Sequence, residues 1–138
     1  MMIYVNGQEI SQLVLGVIKD GQWRHEPKIH QVRPEEYLAT WEAFLRELKI
    51  DRAQIEGFVL VKGPGSATAL RTVHAMVNAL AFALNVKVTS IEKSPSAADA
   101  DMLTAIAEAS SLPFALPVYA HDPNITATKR DALKRKTS

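Results

Sequence analysis

The chain reads as an α/β lobe: a mixed, five-stranded sheet that opens with an antiparallel hairpin and carries packed helices. Three observations predict it. A run rich in β-branched residues, Leu13 to Ile18, leads into Asp20-Gly21, an amphipathic stripe runs from Tyr37 to Leu48, and the apolar strand Ile55 to Val61 leads through Gly63-Pro64-Gly65-Ser66 into a long helix.

Each element follows from its residues. Met2 to Asn6 is a short apolar strand ended by Asn6-Gly7, and Leu13 to Ile18 is a second. Asp20-Gly21 tolerates the positive φ angles of a tight hairpin, so the chain returns as Trp23 to Ile29, and Pro27 confines that strand to an edge. Pro34 suits a first helical residue, and Glu35 and Glu36 suit the positive end of the helix dipole. Tyr37, Leu38, Trp41, Phe44, Leu45 and Leu48 then recur at spacings of three and four, with Glu42, Arg46, Glu47 and Lys49 opposite. Ile55 to Val61 has the unbroken apolar character of a strand covered on both faces. A helix from about Thr68 to Leu84, a strand from Val86 to Ile91 and an Ala-rich helix from Ser96 to Ala109 complete the series, and Pro113 and Pro117 interrupt regular structure beyond it.

Composition bounds the function. The 138 residues, 47% of them hydrophobic, suffice for one globular core burying roughly two thirds of its unfolded surface. Without Cys there is no disulfide framework, thiolate nucleophile or Cys-type zinc site, which fits a reducing compartment. The N-terminus lacks the pattern of a signal peptide, and no run reaches the ~18 apolar residues of a membrane span, so the expectation is a soluble, cytoplasmic protein without membrane contact. The formal net charge of +1 is uneven: residues 122–138 hold five Lys/Arg against two Asp, leaving −2 for residues 1–121. The division expected is therefore a lobe over 1–121 and a basic, flexible tail over 122–138. A short solvated end is the commoner explanation of such a tail, and tRNA or other nucleic-acid contact the sharper one.

Between Ala75 and Leu84 the long helix has one polar residue, Asn78, which is more apolar surface than one sheet contact needs. Ala75, Ala79, Ala81 and Ala83 would let another helix approach closely, so the second face belongs either to helices of the same lobe or to a partner protein. The two coverings can coexist.

The turn before that helix has two chemical readings. Gly63, Gly65, Ser66, Thr68 and Arg71 could hold an anion at the free amides of the helix start. The lysine of a Walker motif is missing, as is the glycine spacing of a hydrolase elbow, and Ser66 reads better as a helix cap than as a nucleophile. His25 and His30, five apart in a strand, point to opposite faces and do not suggest a shared metal. Asp99 and Asp101 suit a helix start. No acid, base and nucleophile set assembles, and no metal ligand set.

Gly63-Pro64-Gly65-Ser66-Ala67-Thr68-Ala69-Leu70-Arg71 resembles the Gly-Pro-Gly-Ser-Phe/Tyr-Thr-Gly-Leu-Arg signature of the TsaB (YeaZ) family, a branch of the actin-like, ribonuclease H-like superfamily. The order of elements around it matches, and Pro117-Val118-Tyr119-Ala120-His121 is similar to the family's Pro-x-Tyr-x-Arg ending, with His121 in place of Arg. Ala67 and Ala69 replace an aromatic residue and a glycine, and Val5-Asn6-Gly7-Gln8 stands where the family has Asp-Thr-Ser/Ala, so an acidic residue for nucleotide and metal contacts is absent.

The resemblance implies a single, shortened actin-like lobe acting as a non-catalytic accessory subunit. Its partner would be a TsaD-like protein, which holds the metal and transfers the threonylcarbamoyl group to tRNA. Pairing would use the two helices, through Tyr37, Trp41, Phe44, Val73, His74, Val77, Leu80 and Ala81. No cofactor is expected in this chain itself, with ATP or ADP placed at the partner interface. The alternatives are a small anion- or nucleotide-binding module and a homodimer built by the same helices.

Overall fold

The computed structural model describes residues 1–116; the tail expected over 122–138 and the Pro117–His121 match lie outside the described residues. The strands are β1 (Met2–Asn6), β2 (Leu13–Lys19), β3 (Gln22–His30), β4 (Gly57–Gly63), β5 (Lys87–Glu92) and β6 (Ser111–Leu112). The helices are α1 (Tyr37–Glu47), α2 (Ala67–Leu84) and α3 (Leu103–Glu108). The strands form one sheet in the order β3-β2-β1-β4-β5-β6. The neighbours β3, β2 and β1 are antiparallel, β1, β4 and β5 are parallel, and β6 returns antiparallel on β5.

The five strands read from sequence are all present. The sixth corrects the count: β6 is two residues long, and pairing with Val88 and Thr89 rather than any pattern of its own makes it a strand. At the first hairpin Asp20 and Gly21 both have positive φ, 55° and 76°, as the tight turn requires. β3 lies at the edge, where Pro27 does no harm to a ladder. The helix expected over Ser96–Ala109 is shorter. It starts as a 3₁₀ turn at Asp99–Met102 and becomes α-helical only over Leu103–Glu108. The residues before it are engaged elsewhere: the Ala97 carbonyl accepts from the Lys93 ammonium, and the Asp99 carboxylate from Tyr4 and Asn6.

Two cores sandwich the sheet. On one face α1 and α2 press Trp41, Phe44, Val73, Val77 and Ala81 onto Ile3, Val5, Leu15, Phe58 and Leu60. On the other, Tyr4, Val14, Ile18, Val59, Val61 and Ile91 meet Ile106 of α3. Both faces of β1 and β4 are therefore covered, which accounts for their near-continuous apolar sequence. α2 is capped at its start by Ser66, whose hydroxyl accepts from Ala69 N at 3.3 Å, and at its end by Asn85 in the left-handed conformation. By length and composition alone α2 could cross a membrane, yet Ala69, Leu70, Val73, His74, Val77 and Ala81 bury its inner face in the lobe. It is a core helix.

Candidate functional site

The Gly63–Ser66 turn is filled by the protein itself. Gly63 has φ 131°, a conformation suited to glycine, and ends β4. A Cβ on Gly65 would lie 2.7 Å from Gln8 Cβ, 2.9 Å from Gln8 Cα, and closer still to the Gln8 carbonyl oxygen. The loop after β1 thus sits directly on the turn. Its Gln8 carbonyl accepts from Ser66 N at 2.9 Å, and the Gln8 side chain donates to the carbonyls of Pro64, at 2.8 Å, and Lys93, at 3.0 Å. Of the anion-binding candidates, Gly63 and Gly65 shape this contact and Ser66 caps α2, while Thr68 and Arg71 are exposed on the first turns of the helix. The Ser66 amide that an anion would have used is satisfied by protein.

Beside the turn lies a buried polar network. Tyr4 donates its hydroxyl to Asp99 Oδ1 at 2.6 Å, and Asn6 Nδ2 donates to the same oxygen at 2.7 Å and to Gln8 Oε1 at 3.0 Å. Gln8 N donates back to Asn6 Oδ1 at 2.9 Å. Burial, reinforced by Asp99, drives the Tyr4 phenol far above its ordinary range, so it remains a neutral donor. Lys93 is buried as well, its ammonium donating to the carbonyls of Ser94 and Ala97. Asn6 and Gln8 thus bond to each other through both side chains and the Gln8 amide. Asp99 opens the 3₁₀ turn, as read from sequence, and also ties α3's entrance to β1. The described residues contain no group of three or more His, Asp or Glu able to hold a metal.

The residues expected to bind a partner turn inward, which is a correction. Tyr37, Trp41, Phe44, Val73, His74, Val77 and Ala81 are each at most 4% exposed, and Leu80 is partly buried against the same core. The physical reason is that α2 carries two apolar lines, one covered by the sheet and the other by α1, so these residues are taken up within the lobe. Burial pushes the Tyr37 phenol up to about 12, and its hydroxyl donates to the Gln12 carbonyl. His74 bonds through Nδ1 to the Leu70 carbonyl at 2.8 Å, its Nε2 has no hydrogen-bond partner among the described residues, and desolvation holds its pKa below the ordinary 6.5.

What α2 does present is a different line. Arg71, Ala75, Ala79 and Phe82 face outward, with Ala83 beside them, and Phe82 is 88% exposed. Asn78, on the same flank, forms a two-point bond with Ala115: Asn78 Nδ2 donates to its carbonyl at 3.0 Å and Ala115 N donates to Asn78 Oδ1 at 2.8 Å. The signal for this face was available. Arg71 and Asn78 are seven apart and mark the outer side of the helix, and Phe82 falls four residues further on the same line.

A mixed sheet of this order, opened by an antiparallel hairpin and crossed on one face by two helices, defines a lobe of the actin-like, ribonuclease H-like type. The structure is similar to YeaZ from Pseudomonas aeruginosa, with a TM-score of 0.57 at 17% identity, over 66% of this chain and 43% of that one. It is equally similar to a P. aeruginosa protein described as uncharacterized with similarity to peptidase YEAZ, with a TM-score of 0.57 at 17% identity over 66% and 42% of the two chains. This chain therefore spans less than half the length of the solved structures it resembles. No curated protein matches it. The family model of TsaD, tRNA N6-adenosine threonylcarbamoyltransferase, matches residues 30–135, and the chain belongs to that family. The TsaB-like character read from the Gly63–Arg71 signature is borne out in family and fold.

Proposed function

We propose that the chain is a non-catalytic accessory subunit that pairs with a TsaD-like protein in the threonylcarbamoyladenosine modification of tRNA. The observation that carries this reading is Phe82, a large apolar side chain 88% exposed on an otherwise alanine-lined helix face. An aromatic anchor flanked by small residues is the kind of feature on which interfaces concentrate their energy. The partner surface is thus the outer line of α2, Ala75, Ala79, Phe82 and Ala83, in place of the residues that form the core.

Two features of the corner around Asn6 support the absence of catalysis. Its polar groups are engaged with one another, and the Ser66 amide is occupied by Gln8. In this reading the metal and the group transfer belong to the TsaD-like partner, and any ATP or ADP in the assembly lies at the partner interface. The basic residues of 122–138 supply the means for an indirect contact with tRNA, and the assembly works in the cytoplasm.

Co-expression of the full chain with the TsaD-like protein of the same organism, followed by mass measurement of the purified complex, tests the proposal. A stable heteromeric complex that is lost in Phe82→Asp supports it. A chain that copurifies with nothing and sediments as a Phe82-dependent dimer would replace it with the homodimer reading.

A further inference from the structure

The α2 face does not end at the helix. Residues 72–86 contain no Asp, Glu, Lys or Arg, and neither do residues 109–116. The Asn78–Ala115 bonds bring these two charge-free segments together, although they are 37 positions apart in the chain. Ala115 is buried in this contact, while Leu112, Phe114 and Leu116 around it are 53% to 70% exposed. All three line one shallow cavity of about 170 Å³, with Lys62 and Ser90 also in its wall. Phe82 lies one helical turn beyond Asn78.

Leu112, Phe114 and Leu116 surround Ala115 of the clamp and Phe82 follows Asn78 by one turn of α2, each of the four more than half exposed. At roughly 200 Å² for each aromatic side chain and somewhat less for each leucine, they offer an apolar surface on the order of 400–500 Å². That is the size at which the largest patch on a monomer is commonly functional. Depletion of charge at the centre, with charge at the rim, is also what distinguishes an interface core from ordinary surface. Here Arg71 stands at one end of the face, and Lys62, paired with Glu92 at 3.9 Å, at its side.

We infer that the Leu112–Leu116 strip and Phe82 form one continuous docking surface, occupied by an uncharged apolar face of the same TsaD-like partner. The inference rests on the proposed pairing and extends its surface from the helix onto the sheet edge. Continuity selects this occupant: a partner seated on Phe82 reaches the strip without crossing a charged side chain of α2. The clamp gives Asn78 the role of holding the strip in register with the helix.

The test uses the full chain and the purified TsaD-like protein, with affinity read by titration calorimetry. Phe114→Ser and Leu116→Ser are each expected to weaken binding about tenfold with thermal midpoints unchanged, because neither side chain belongs to the core. Asn78→Ala, which releases the strip, is expected to weaken binding similarly. Unchanged affinity in both serine variants, with Phe82→Asp still abolishing the complex, would overturn the strip while leaving the pairing intact. Absence of any complex with the unaltered chain would overturn both. A dimer of the chain alone that Leu116→Ser dissociates would assign the strip to a second copy and also overturn the inference.

Discussion

Gly65→Ala is the sharpest probe of how the lobe is held at its signature turn. The added Cβ would lie 2.7 Å from Gln8 Cβ and 2.9 Å from Gln8 Cα, where ordinary contacts begin near 3.4 Å, so the loop or the turn must move by more than half an ångström. Nothing flexible can yield, since the obstructing atoms are backbone and Cβ. Such overpacking costs about 1–3 kcal/mol. The move also stretches the Ser66 N to Gln8 O bond, now 2.9 Å, and disturbs the Gln8 side-chain bonds to Pro64 and Lys93, which adds about 1 kcal/mol. A loss near 3 kcal/mol is expected. With a urea slope of about 1.5 kcal/mol/M, the unfolding midpoint should fall by about 2 M. Ser66→Ala, which removes only the helix cap, should cost about 1 kcal/mol in the same assay. A Gly65→Ala midpoint within about 0.3 M of the unaltered chain would refute the tight packing of the Gln8 loop on the turn.

The buried groups give further expected outcomes. Val77→Asp places a carboxylate in the fully buried layer between α2 and the sheet and is expected to unfold the chain, seen as loss of near-ultraviolet circular dichroism. Asp99→Ala strands the buried Tyr4 hydroxyl and should cost about 2 kcal/mol in urea unfolding; adding Tyr4→Phe should recover much of that loss. His74 is held neutral below its ordinary pKa of 6.5, so as pH falls beneath that value the unfolded chain takes up a proton before the folded one does. Stability should therefore decline from about pH 6.5 down through the depressed folded value, by up to about 1.4 kcal/mol per pH unit, and the decline should be smaller in His74→Leu when midpoints at pH 7.5 and 5.5 are compared.

Much of this fold was legible because local chemistry and tertiary role agree. Asp20-Gly21 made the hairpin, the Tyr37–Leu48 stripe made α1, Pro27 marked an edge, and Ser66 announced the start of α2. The elements that escaped were set by pairing at a distance. Ser111–Leu112 is a strand only because β5 is beside it, and the helix expected from Ser96 starts late because Asp99 bonds to Tyr4 and Asn6 across the sheet. The site was half legible. The signature correctly marked the turn and the family, but apolar content could not say which line of α2 the sheet and α1 would take. Val73, Val77 and Ala81 went to the core, and the large apolar side chain left exposed on α2 is Phe82, on the line that Arg71 and Asn78 mark.

The central claim is that an exposed face of α2 docks a TsaD-like protein. The most direct measurement is the affinity of the purified full chain for that protein, compared between the unaltered chain and Phe82→Asp. The account predicts saturable binding at micromolar affinity or tighter, at least about 100-fold weaker in Phe82→Asp, with the variant's thermal midpoint unchanged because Phe82 lies outside the core. Equal affinity for the two, or no binding by the unaltered chain, would contradict it.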